Sequence, residues 1–287
     1  MKKIKFVILS IIIFSLTGCF NKSNMDNADV KVSVYPIEYI TERLYGKYSK
    51  IKSIYPDDMD EDYIVNDKLL NDYSSTNLFI FNGNNDNEND YVYKMFTTNK
   101  KLKIIDSTSS LNYNNKIEEL WLDPMNFLTM ANNIKKGLKE YINEAYIKKE
   151  IDDNFDTLKI DLIQLEADYR ETASRANSKT IIVGDDVFSY LSKYGMNIIS
   201  LEESKKYSKK NYVSTEKLIK NGQVKYIYIK KGQKINNNIK QLKEKYNIEL
   251  IELNIMNTLS SEDKKNGKDY ISIMHDNLEL LKQELYK

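Results

Sequence analysis

Histidine and cysteine are almost missing from this chain: among 287 residues there is one of each, His275 and Cys19. A lone cysteine has no partner for an intramolecular disulfide and cannot build a cysteine cluster, and a lone histidine excludes a site of three imidazoles. The sequence also lacks a glycine-rich phosphate loop and a nucleophile with a neighbouring base, so an enzyme is not expected. Charge of one sign is not in excess either. With 43 Lys and Arg against 42 Asp and Glu, the net charge is +1, and no bulk attraction to nucleic acid or to an anionic membrane follows. The chain's leading apolar stretch, residues 6–16, is too short to cross ~30 Å of hydrocarbon as a mature helix.

That stretch follows Lys2, Lys3 and Lys5 and precedes Leu16-Thr17-Gly18-Cys19. A charged start, an apolar middle and a small-residue end make a secretory signal. Its last four residues resemble the lipobox of bacterial lipoproteins, which implies removal of residues 1–18 and lipidation of Cys19. Two acyl chains, at ~0.8 kcal/mol per buried methylene, anchor a protein stably. The expected location is therefore the outer face of the cytoplasmic membrane, and the 22 Tyr with abundant Lys, Asn and Ile point to a low-GC, Gram-positive source. The remainder, 41% hydrophobic and 30% charged over the chain, is long enough for one large or two medium globular domains.

Polar, aperiodic residues 19–29 read as a lipidated tether. Residues 31–35 alternate as a strand stopped by Pro36, and Ile37, Ile40 and Leu44 mark a helix ending at Gly46. Further strands are expected at 78–81, 102–105, 180–183, 224–229 and 248–253, separated by helical or turn-rich sequence, which argues for α/β layers. Phe127, Ala131, Ile134, Leu138 and Ile142 form one helical stripe. Ile151, Phe155, Leu158, Leu162, Leu165 and Tyr169 form a longer one, predicting a helix over 145–175 that divides the strands into two sets. The expected organisation is an N-terminal α/β lobe over 30–142, a linking helix over 143–177 and a C-terminal α/β lobe over 178–287.

Several collinear motifs resemble one family, the substrate-binding lipoproteins of zinc and manganese ABC importers (cluster A-I solute-binding proteins). Val34-Tyr35-Pro36-Ile37 is similar to its "S-x-Y-P-L", Phe81-Asn82-Gly83 to "Y-N-G", and Trp121-Leu122-Asp123-Pro124 matches "W-L-D-P". Phe188-Ser189-Tyr190-Leu191 with Tyr194-Gly195 resembles "A-F-x-Y-L-x-x-x-Y-G". Leu259-Ser260-Ser261-Glu262-Asp263, then Gly267-Lys268-Asp269-Tyr270, Ser272-Ile273-Met274 and Asn277-Leu278 resemble "L-T-x-E-D…G-K-D-Y-x-S-I-M-x-x-N-L". The resemblance implies two α/β lobes joined by one long rigid helix, a divalent metal ion as transported ligand, an ABC permease and its ATPase as partners, and a monomer.

The family holds its metal through histidines in "P-x-H-D-Y-E", "H-x-W-L-D-P" and "S-H-x-A-F" and through a late acid. By alignment to Tyr63, Trp121 and Phe188 those slots fall here on Glu61, Glu119 and Asp185, and the fourth falls on Asn257. Such an oxygen-only set suits Mn²⁺, Mg²⁺ or Ca²⁺ better than Zn²⁺. One ion requires the oxygens to converge within ~5 Å of a point. The alternative is a non-transporting surface lipoprotein, an adhesin or regulatory partner, whose acids line a wet groove. Elsewhere Trp121 reads as a core anchor, His275 as a surface histidine, and Asp86, Glu88 and Asp90 as a solvated loop; the acidic run 57–62 reads equally as a solvated turn.

Overall fold

A computed structural model describes residues 25, 27–59, 63–203 and 206–287; Cys19 and Glu61 lie outside them. The N-terminal lobe runs β1 (Ala28–Val32), α1 (Tyr35–Tyr45), a 3₁₀ turn, β2 (Ser49–Ser53), α2 (Asp67–Tyr73), β3 (Leu78–Phe81), α3 (Asp86–Thr98), β4 (Lys103–Asp106), α4 (Glu119–Leu122) and α5 (Pro124–Tyr141). After the linking helix α6 (Ala145–Ser174), the second lobe runs β5 (Thr180–Val183), a 3₁₀ segment (Asp186–Tyr194), β6 (Asn197–Ser200), α7 (Ser208–Lys220), β7 (Tyr226–Lys230), α8 (Asn237–Tyr246), β8 (Glu249–Leu253), α9 (Ser261–Lys265) and α10 (Tyr270–Leu285). Each sheet is parallel, with orders β2-β1-β3-β4 and β6-β5-β7-β8. The lobes thus repeat one topology without a repeated sequence. Winding outward in both directions from a central pair leaves a crevice at the carboxyl ends of β1 and β3, and of β5 and β7, where such sheets bind ligands.

The expected two-lobed α/β architecture is what forms, and the helix expected over 145–175 runs Ala145–Ser174, inside the 143–177 span given to the linker. Ile151, Phe155, Leu158, Leu162, Leu165 and Tyr169 are all buried, against α1 and α5 of the first lobe and α10 of the second. At 1.5 Å per residue its 30 residues extend ~45 Å. A continuous core runs through both lobes, and the second lobe adds a separate cluster around Ile182, Ile227, Ile239 and Leu242. At their junction the rings of Phe127 and Tyr270 stack at 3.9 Å, with Tyr39 5.6 Å from Tyr270.

Four local expectations are corrected. The first strand begins at Ala28 and Met25 is already fully buried, so the fold claims residues assigned to the tether. Pro36 opens α1 rather than only stopping a strand, since its missing N–H costs nothing in a first helical turn. Strands β2 and β6 were not foreseen because both are half-exposed edges without a continuous apolar run. Residues 86–90 are helical, not a loop: Asn85 accepts from the N–H groups of Asn87 and Glu88, capping α3 and carrying Glu88 into the core.

Candidate metal centre

The carboxyl ends of β5 and β7 present opposite charges side by side. Beyond β5, a Cβ on Gly184 would come within 2.9 Å of methyls of Ile229 and Ile239, so any side chain there must push the two isoleucines aside, and glycine lets the chain pass closely and deliver Asp185. The Asp185 Oδ1 accepts the Val187 N–H at 2.9 Å, capping the 3₁₀ segment, while its Oδ2 lies 3.3 Å from the Nζ of Lys230, the last residue of β7. Both side chains are about nine-tenths buried, at 8% and 12% exposure.

The first lobe contributes the segment before α4. Lys116 Nζ reaches across to Glu202 Oε1 at 3.1 Å, and the other oxygen of Glu202 accepts the Asp186 N–H at 3.0 Å. Glu118 lies within electrostatic reach of both Lys230 and Asp185. Desolvation raises its pKa, the Lys230 charge opposes that rise, the Asp185 charge adds to it, and the Asn257 side chain hydrogen-bonds its carboxyl.

Asn257 sits in the turn after β8. Met256 adopts φ 58°, a left-handed conformation unusual for its type, with its N–H held by Asn254 Oδ1 at 2.9 Å. The Asn257 carbonyl accepts from the Tyr35 N–H at 3.1 Å, tying this turn to the first lobe. Its Oδ1 is buried and has no hydrogen-bond donor. Beside it opens a cavity of about 300 Å³ walled by Asp58 and Met59 on one lobe and by Lys231, Asn254, Asn257 and Asp263 on the other. Two residues of the acidic run are exposed, as a solvated turn would be, and also bond to the other lobe: Asp57 pairs with Lys264 at 2.6 Å, and Asp58 accepts from the Ser261 hydroxyl at 2.8 Å.

Of the four residues aligned with family ligands, two act on Glu118: Asn257 hydrogen-bonds its carboxyl, and the Asp185 charge reaches it. Glu119 turns elsewhere, its oxygens accepting the Asn114 N–H at 3.1 Å and the Asn115 amide at 3.2 Å, in a recess with Asp123, Tyr190 and Lys193. Glu61 lies outside the described residues. Among the described residues no group of three or more His, Cys, Asp or Glu is arranged to share an ion. Sequence reasoning missed Glu118, Glu202, Lys116 and Lys230. Glu118 was within reach as the neighbour of Glu119, but nothing in the apolar strand Tyr226–Lys230 tells that its terminal ammonium faces Asp185. Trp121 is the expected core anchor, 2% exposed, its Nε1–H donating to the Ile255 carbonyl of the other lobe at 2.7 Å. His275 is on the surface at 43% exposure, 3.8 Å from Asp168.

A family model, the periplasmic component A of the zinc-uptake complex (ZnuA), matches residues 30–284. The chain belongs to this family. The zinc-binding lipoprotein AdcA of Streptococcus pneumoniae serotype 4 is 23% identical over 313 aligned residues, covering 99% of this chain and 61% of that protein. The chain therefore spans about three-fifths of that relative's length. The Zn(II)-bound ZnuA-like domain of S. pneumoniae AdcA superposes with a TM-score of 0.74 at 22% identity, covering 91% of this chain and all of that one. The metal-dependent lipoprotein YcdH of Bacillus subtilis gives 0.74 at 20%, with 91% and 100% coverage. Membership of the ZnuA family supports a metal solute-binding role, and the likeness to the solved structures extends to the whole two-lobed fold.

Proposed function

We propose that the chain is the extracytoplasmic solute-binding lipoprotein of a divalent-metal ABC importer. Lipid on Cys19 holds it on the outer face of the membrane, and it works as a monomer, capturing a cation between its lobes and handing it to a permease driven by a cytosolic ATPase. The observation that carries this is the buried, donorless Asn257 Oδ1 beside Glu118, a carboxyl within reach of the Asp185 charge, where the two lobes meet. An acceptor with no donor, next to carboxylates, is what a cation completes. Family membership over both lobes and the lipobox-like Cys19 support the same function.

Asp185 and Asn257 are the second lobe's donors. Glu61 and Glu119 are the slot donors of the first, Glu119 exchanging its bonds to Asn114 and Asn115 for the ion, while Glu118 already feels the Asp185 charge. The oxygen-only set favours Mn²⁺ over Zn²⁺. The test is calorimetric titration of the chelator-stripped chain with Mn²⁺, Ca²⁺ and Zn²⁺, with thermal unfolding alongside. At 100 times Kd a bound ion adds ~2.7 kcal/mol of stability. Asp185→Ala abolishes the shift. Silence with all three metals at millimolar concentration removes the metal and leaves the second function, a non-transporting surface lipoprotein on the same scaffold. One feature favours that second function: the Lys230 ammonium lies where a cation beside Asp185 would sit.

A further inference from the structure

We infer that Lys230 is a built-in counter-ion of the cleft, so that a divalent cation gains Asp185 only by displacing a tethered ammonium; this rests on the metal-binding function proposed above. Lys230 ends the central strand β7, next to β5 at the switch point of the second sheet, and its Nζ stands 3.3 Å from Asp185 Oδ2 with both side chains almost wholly buried. A buried carboxylate and a buried ammonium are each strongly disfavoured alone and tolerated together. Position matters as much as charge: the Lys230 backbone is held in register with Leu253 of β8, and its strand pairs with β5 two residues earlier, so the root of the side chain stays beside Asp185 while its flexible stem lets the ammonium move.

The surrounding charges fit the same purpose. Glu118, Asp185 and Glu202 bring three carboxyls, and Lys116 and Lys230 bring two ammoniums, one of which spans the lobes through the Lys116–Glu202 pair at 3.1 Å. Among the described residues, these carboxyls are thus met by ammoniums without any solute, and the lobes are bridged by an ion pair. A divalent ion arriving at Asp185 adds two charges beside Lys230 at short range, where like charges repel strongly in a poorly solvated cleft. Loading thus requires the Lys230 side chain to leave Asp185, and Lys230 sets the affinity threshold that distinguishes a strongly coordinating cation from a weak one.

Calorimetry with Mn²⁺ on the metal-stripped full-length chain in detergent, wild type against Lys230→Gln, tests this, with thermal unfolding of both forms as the second readout. Removal of the ammonium is expected to lower the Mn²⁺ Kd about tenfold or more, or to create binding where the wild type shows none. It is also expected to lower the melting temperature without metal and to restore it with Mn²⁺, a rescue that a merely structural ion pair does not give. An unchanged Kd in a folded Lys230→Gln chain overturns the inference while the metal-binding function stands. No heat from either protein with Mn²⁺, Ca²⁺ or Zn²⁺ overturns that function and the inference with it.

Discussion

Glu88 is wholly buried, and its Oε2 accepts the Asn82 N–H at 2.7 Å just beyond the end of β3. Burial pushes its carboxyl from 4.5 up to about 7, with the Asn82 N–H hydrogen bond and the nearby Ser33 and Tyr55 hydroxyls working against the rise. Between those values the folded chain keeps a proton that the unfolded chain releases. Stability therefore falls as pH rises from about 4.5 to about 7 and levels off above, a loss on the order of 3 kcal/mol from this group. Denaturant unfolding at pH 5 and pH 8 checks it: Glu88→Gln flattens the decline, and an equal slope in the variant contradicts the assignment. A second prediction concerns Trp121. Trp121→Phe keeps a six-membered aromatic ring but loses the indole N–H and the pyrrole half, stranding the Ile255 carbonyl and leaving a void, so it should cost at least about 1–3 kcal/mol in the same measurement. Side-chain burial of this kind was partly legible. Trp121 announced itself as an anchor, whereas Glu88 looked solvated, because an Asn-rich stretch hides the cap at Asn85 that turns it into a helix.

At the scale of elements, α6 is the piece the sequence specified best, since its apolar stripe at steps of three and four is uninterrupted and one face is buried along its length. Leu162 is fully buried on that face, and Leu162→Ala should cost 2–5 kcal/mol by leaving a cavity (roughly, from comparable core truncations), measured by urea denaturation. Because the core is continuous across the lobes, the loss should appear as one shifted transition; a second transition would show the lobes unfolding separately. Gly83 is set by its neighbour across the sheet. A Cβ there would stand 2.3 Å from Asp106 Oδ2, whose partner oxygen accepts the Gly83 N–H at 3.0 Å. Edge strands β2 and β6 were invisible for the opposite reason: with half their side chains in water, lysine and asparagine are as acceptable there as valine.

At the scale of the molecule, the two lobes are fastened by groups that need no metal. The Phe127–Tyr270 stack, the Tyr270 hydroxyl donating to the Trp121 carbonyl at 2.5 Å, the Tyr35–Asn257 backbone bond and the Lys116–Glu202 pair all cross the junction. With α6 lying against both lobes, solute capture should proceed by movement of side chains and loops, not by a wide hinge. Small-angle scattering should accordingly show radii of gyration within a few tenths of an ångström with and without Mn²⁺. The two-lobed plan was readable from strand spacing and α6, but the ligand geometry was not. Alignment named Glu119 and Asp185 by position along the chain, while the direction of a side chain depends on caps and ion pairs formed with distant residues. Glu119 is drawn away by Asn114 and Asn115, and Asp185 is met by Lys230. The central claim is that a divalent cation sits between the lobes on Asp185 and Asn257. Anomalous diffraction from crystals grown with Mn²⁺ tests it most directly: a peak about 2.0–2.6 Å from oxygens of both residues, with Lys230 turned away, is the expected result, and a peak elsewhere, or none at millimolar Mn²⁺, contradicts it.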